Sequence, residues 1–181
     1  MVNEILIAGF GGQGVMLMGQ ILAHAGMEQN LHVSWMPSYG PEQRGGTANC
    51  GVVISADPVG SPVVTEPTEC AVMNLPSLEK FEFSVRPGGH LFVNSSLCDQ
   101  EVQRDDIQVV RIPVTEEADQ LGNARVANMI MLGALISCLS DLPFDAMKTS
   151  LRAVLPERHH KLIPINVKAL ERGRELYQQK S

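Results

Sequence analysis

The chain has 181 residues, of which 44% are hydrophobic and 19% charged, with a formal net charge of −6. That length suits a single domain over residues 1–181, and the composition excludes disorder as the main state. Aromatic residues make up only 4%, and the charge balance is acidic; both argue against base-stacking platforms and against general nucleic-acid binding, which needs a basic footprint. No apolar run reaches the ~20 residues of a membrane helix, and no charged n-region with a long apolar stretch opens the chain. The expected location is therefore cytoplasmic, with no membrane partner.

The elements are read in chain order. Residues 3–9 form a buried strand, 12–28 a helix opening at a Gly-rich turn, and 31–36 a short second strand. Pro37 to Gly46 reads as a polar loop, 47–55 as a strand, and the proline-rich span 57–67 as a connection. A strand at 70–74 precedes a short helix with Pro76 in its first turn. The turn Arg86-Pro87-Gly88-Gly89 leads to strands at 90–94 and 107–112. Asn123 is placed to cap a long apolar helix from Ala124 to Leu139; helices near 144–155 and 165–179 complete the chain. Strands alternating with helices imply an α/β three-layer sandwich, Rossmann-like, with a largely parallel or mixed sheet flanked by helices.

Charge is unevenly spread. Residues 1–147 hold 6 Lys or Arg against 17 Asp or Glu, and residues 148–181 hold 8 against 3. The basic C-terminal segment is read either as a solvated helix or as a surface for an anionic ligand or acidic partner. Arg44 is the only Lys or Arg before Lys80. Cys50, Cys70, Cys98 and Cys138 are widely separated and form no C-x-x-C pair, so neither zinc nor an iron–sulfur cluster is expected on this chain.

Gly9-Phe10-Gly11-Gly12-Gln13-Gly14 satisfies G-x-G-x-x-G after a strand and before a helix. A dinucleotide site would also need an acidic residue at the end of the second strand, where Val33-Ser34-Trp35-Met36-Pro37 stands instead. No Lys-Ser or Lys-Thr follows, so the turn is not a P-loop. Three readings stay open: a packing turn, a dinucleotide site, or contact of Gly11, Gly12, Gln13 and Gly14 with another phosphate or a partner chain.

The second polar loop, Ser38 to Gly46, carries Tyr39, Gly40, Glu42, Arg44, Gly45 and Gly46. It follows a strand, so it belongs at the carboxyl end of the sheet, where open α/β sheets bind ligands. We expect the two loops to lie side by side, with Arg44 free to meet an anion or a partner. The bland alternative is a rigid turn with a Glu42–Arg44 pair contributing only ~0–1 kcal/mol. His159 and His160 are adjacent and cannot chelate one metal from a helix face. No catalytic set can be argued from residue order.

Ile7 to Val15, Ser38 to Gly46, Ser61-Pro62, Met73-Asn74 and Gly122-Asn123-Ala124-Arg125 with Asn128-Met129 together resemble the gamma subunit of 2-oxoacid:ferredoxin oxidoreductases. The resemblance runs in order over nearly the whole chain. It implies a complex that oxidatively decarboxylates a 2-oxoacid to an acyl-CoA and reduces ferredoxin. Thiamine diphosphate and magnesium would lie between the alpha and beta subunits, and iron–sulfur clusters on the beta and delta subunits. This chain would bind none of these alone, and would contribute to assembly and to receiving coenzyme A. Asn74, Asn123 and Asn128 enter the candidate ligand- or partner-binding set through the same motifs. The Tyr-Gly-Pro-Glu loop and the length fit the 2-oxoglutarate or branched-chain kinds better than the aryl kind. Two further expectations follow: self-association of the isolated chain, and a Met-rich apolar surface near 124–139 as part of its interface.

Overall fold

The structure is a computed structural model and describes residues 2–39 and 47–180, with only the backbone of Tyr39. Six strands are β1 (Val2–Phe10), β2 (His32–Tyr39), β3 (Thr47–Ser55), β4 (Glu69–Val72), β5 (His90–Asn94) and β6 (Gln108–Ile112). Six helices are α1 (Val15–Glu28), α2 (Leu75–Phe81), α3 (Val114–Gln120), α4 (Ala127–Ile136), α5 (Phe144–Val154) and α6 (Ile163–Gln178). The sheet order is β2-β3-β1-β4-β5-β6. The β1, β4, β5 and β6 strands are parallel neighbours, whereas β3 runs antiparallel to both β1 and β2.

The mixed sheet agrees with the sequence reading, with one feature that the βαβ pattern alone does not give. The β1-α1-β2 unit does not put β2 beside β1, because β3 is inserted between them. The span 40–46 is too short for a parallel crossover, so β2 and β3 must be antiparallel neighbours. The β2 strand is also longer than expected and runs through Pro37 to Tyr39. Proline is tolerated there because β2 is an edge strand.

Side-chain alternation divides the core in two. Ile5, Ile7, Val52, Ile54, Ala71, Met73 and Phe92 face a layer built from α1, α3, α4, α5 and α6. Leu6, Cys70, Val72, Leu91 and Val93 face the other way, against Leu78 of α2 and the irregular segments carrying Val64, Val85 and Cys98. The third layer of the sandwich is therefore thin. The α3 helix was not anticipated from the sequence; it is tied to α6 by Arg172, whose guanidinium donates to Glu117 at 2.7 and 3.2 Å.

The Met-rich stretch is not a surface. Asn128 to Ile136 are all buried, and Met129 and Met131 are fully so. A helix apolar on every side belongs inside. It packs backbone to backbone on α6: a Cβ at Gly133 would strike the Leu170 carbonyl, and one at Gly173 would strike the Ile130 carbonyl. The helix itself spans Ala127–Ile136, shorter than expected, because Asn123 caps a 3-10 turn over Ala124–Val126 that leads into it. Two of the eight C-terminal Lys and Arg residues form ion pairs within the described residues: Lys148 with Glu171, and Arg172 with Glu117 and Glu175. No helix is long and apolar enough to cross a membrane among the described residues.

Candidate functional site

The glycine turn leaves β1 at the carboxyl edge. Gly12 (φ 100°) and Gly14 (φ 76°) hold left-handed conformations that L side chains resist. Gln13 closes the turn by donating its backbone N–H to the Phe10 carbonyl at 3.1 Å. Its side chain is fully engaged: Oε1 accepts from the Phe10 N–H at 2.7 Å and from Asn74 Nδ2 at 2.9 Å, while Nε2 donates to the Met73 carbonyl at 3.2 Å. The Gln13 amide therefore fixes the loop rather than reaching outward. Gly11 and Gly12 are the exposed part of the turn.

Three asparagines complete a girdle around it. Asn74 is buried and caps α2 by accepting the Ser77 N–H at 2.9 Å. Asn128, at the start of α4, donates to the Gly14 carbonyl at 3.4 Å and would obstruct a Cβ at Gly14. Asn94, fully buried at the end of β5, donates to the Met73 carbonyl and to Thr115 Oγ1, both at 3.1 Å. Asn94 was missed from the sequence, although an Asn ending a Leu-Phe-Val strand was its visible signature. Asn123 lies outside this girdle and acts locally, its Oδ1 accepting the Arg125 N–H at 3.1 Å.

Among the described residues no side chain caps α1, and its first turn holds no acid. The leading N–H groups of a 14-residue helix therefore face the carboxyl edge beside exposed glycine backbone, an arrangement that favours an anion. The second loop approaches the same edge at both ends. Thr47 pairs with Phe10, and Tyr39 pairs with Ala48. Gly40, Glu42, Arg44, Gly45 and Gly46 lie outside the described residues.

Other chemistry is limited. His24 Nδ1 lies 3.0 Å from Ser150 Oγ and 3.9 Å from Glu28 Oε1. This is not a hydrolytic triad: one ring nitrogen faces both partners, and Ser150 is fully buried. Burial pushes the thiols of Cys50, Cys70 and Cys138 up to about 12 and that of Cys98 to about 11. None is a thiolate nucleophile at neutral pH. Cys50 lies in the helix-side core while Cys70 and Cys98 lie in the opposite one, so these residues do not fit an iron–sulfur cluster. His160 contacts the Leu155 carbonyl at 2.9 Å and His159 the Arg158 guanidinium at 3.2 Å.

Comparison with known proteins accords with this architecture. The ketoisovalerate oxidoreductase subunit VorA of Methanothermobacter marburgensis is 40% identical over 94% of this chain and 35% of its own length. The chain thus spans about a third of that relative. The 2-oxoglutarate synthase subunit KorC of the same organism is 33% identical over 97% of both chains. The crystal structure of the keto/oxoacid ferredoxin oxidoreductase gamma subunit from Geobacter sulfurreducens matches with a TM-score of 0.84 and 26% identity, over 98% of this chain and 99% of that one. A 2-oxoglutarate:ferredoxin oxidoreductase from Magnetococcus marinus, solved with 2-oxoglutarate, coenzyme A and succinyl-CoA bound, shares the fold with a TM-score of 0.89 and 22% identity, over 98% of this chain and 31% of that one. The family profile for pyruvate ferredoxin/flavodoxin oxidoreductase matches residues 4–176, and the chain belongs to that family.

Proposed function

We propose that the chain is the gamma-type component of a 2-oxoacid:ferredoxin oxidoreductase and that its carboxyl edge receives the phosphates of coenzyme A. The observation that carries this reading is the uncapped N-terminus of α1 behind the exposed glycines, held rigid by Gln13, Asn74, Asn94 and Asn128. The whole complex oxidises a 2-oxoacid to an acyl-CoA in the cytoplasm and passes electrons to ferredoxin. Thiamine diphosphate, magnesium and iron–sulfur clusters belong to the alpha, beta and delta subunits. The chain alone is inactive and acts only within the assembled complex. The likeness to ketoisovalerate and 2-oxoglutarate subunits supports a branched-chain or dicarboxylic 2-oxoacid.

A free-standing NAD enzyme fits poorly. The insertion of β3 removes β2 from beside β1, and β2 ends without the acidic residue that would hold a ribose. Partner subunits have an open sheet face available. Met36, Ser38, Asn49, Leu6 and Val63 line a shallow cleft of about 200 Å³ away from α1, with Met36 and Val63 half exposed.

The test is Arg44→Ala in the assembled oxidoreductase. The fold should be unchanged, as circular dichroism would show. Loss of a charge-assisted contact of ~1–3 kcal/mol should raise the KM for coenzyme A, or weaken subunit co-purification, by roughly 5- to 150-fold. If both stay at wild-type values, the second loop is only a turn and the phosphate-receiving edge loses its cation.

A further inference from the structure

At the opposite, amino edge of the sheet, β4, β5 and β6 begin with Glu69, His90 and Gln108. The parallel register sets these residues side by side, Glu69 against His90 and His90 against Gln108. They occupy the helix-facing side, because Ala71 and Phe92, two residues further along their strands, belong to the helix-side core. Cys138, just past the end of α4, closes over them. One donor atom each from Glu69, His90 and Cys138 lies within 4.8 Å of the others.

We propose that Glu69, His90 and Cys138 form a zinc(II) site that pins the end of α4 to the first residues of β4 and β5. The donor set is one carboxylate oxygen, one imidazole nitrogen and one sulfur, the combination that zinc prefers over harder or softer ions. Zinc–ligand bonds of ~2.0–2.3 Å put tetrahedral donors about 3.3–3.8 Å apart, so the three donors, now within 4.8 Å of one another, draw together on binding. Water supplies the fourth position. Charge balances: the dication meets one carboxylate and one thiolate, and the thiol proton leaves to solvent.

Two features of the surroundings support a cation here. Glu69 is 7% exposed and is bonded by the Thr68 hydroxyl. A carboxylate buried to this degree is costly without a counter-charge, and the partly exposed His90 and Cys138 stand beside it. In addition, the partners that orient metal ligands are present. Gln108 stands beside His90 in register, and Thr68 holds the Glu69 carboxyl, as outer groups do around zinc. The Cys138 thiol now donates to the Leu135 carbonyl at 2.9 Å, a proton that the metal would displace. Cysteine spacing speaks only of ligands close in the chain. Here register and the end of a helix gather ligands from three separate elements.

The experiment is a titration of the purified, chelator-washed full chain with zinc(II), followed by calorimetry and elemental analysis, and with cobalt(II) for a thiolate-to-metal absorption band. We expect one ion per chain, a cobalt band that vanishes in Cys138→Ser, and a rise in melting temperature on adding zinc. Affinity should fall by at least about a hundredfold in Cys138→Ser and His90→Gln, and by roughly 10- to 100-fold in Gln108→Leu. Cys138→Ser keeps a small polar residue at a helix end, so its fold is checked by circular dichroism; Gln108→Leu provides an independent arm. Absence of saturable binding, or binding unchanged in both ligand variants, overturns the site.

Discussion

The two edges of the sheet solve opposite problems. At the carboxyl edge the polar groups around the turn are neutral amides: Asn74 donates to Gln13, and Gln13, Asn94 and Asn128 donate to local carbonyls. What remains facing outward is a helix start with surplus donors. At the amino edge the polar groups are titratable: buried Glu69 beside the partly exposed His90 and Cys138. The first arrangement suits an anion and the second a cation. Helix α4 connects them, with Asn128 in its first turn beside Gly14 and its end at Ile136, two residues before Cys138.

Breaking that tie should have the largest effect. In Gly133→Val the new side chain meets the Leu170 backbone, and in Gly173→Val it meets the Ile130 carbonyl. Neither obstacle is a side chain that can rotate away. We expect a loss of about 3 kcal/mol or more, or failure to fold, read by urea denaturation and circular dichroism. Both edges should fail together. A stable variant with either edge still working would show that α4 does not couple them.

Gln13→Ala tests whether the carboxyl edge stands independently. The change strands the Phe10 N–H and Asn74 Nδ2 as donors and leaves the Met73 carbonyl with one donor fewer. Its expected cost is about 2–3 kcal/mol, with weakened coenzyme A use in the complex. Zinc affinity should stay within about twofold of wild type, because distant sites without shared partners act independently; a large drop would merge the two edges into one cooperative unit.

Much of this was visible in the residues. The glycine turn, the strands at 47–55 and 90–94, and the last two helices follow from turn residues and apolar periodicity, which act locally. The burial of α4 was also written there, since Ala127–Ile136 offers no polar face; reading its methionines as an interface overlooked that. The short span 40–46 likewise demanded the antiparallel β2–β3 pair. The amide girdle was half legible: Gln13, Asn74 and Asn128 could be named, but their carboxamides turn inward, which only the packing reveals. The amino-edge cluster was not legible at all. Glu69, His90 and Cys138 are distant in the chain and meet through strand register and the length of a helix.

A double-mutant cycle measures how tightly α4 grips the glycine turn. Gly14→Ala is strained twice, by its positive φ and by the Asn128 carboxamide. Asn128→Ala removes the second obstacle along with the weak bond to the Gly14 carbonyl. The pair should therefore cost less than the sum of the singles, with a coupling of about 1 kcal/mol in chemical denaturation. Strict additivity would mean that the turn holds its shape without help from α4.

Gly12→Ala should be the mildest change and the most selective. Nothing lies within 4 Å of the new Cβ, so no packing is disturbed. Only the backbone objects: φ at 100° lies outside the comfortable range for alanine, a cost of about 1 kcal/mol. Gln13 and Asn74 keep their bonds, so the girdle survives. The methyl group nevertheless sits on the exposed face of the turn, where a phosphate would approach the backbone. In the assembled oxidoreductase the KM for coenzyme A should rise several-fold with kcat nearly unchanged, because binding rather than chemistry is obstructed. The 2-oxoacid KM and the zinc affinity should not move. A fall in kcat without a change in the coenzyme A KM would instead assign the turn to subunit assembly, and the carboxyl edge would then be an interface rather than a phosphate seat.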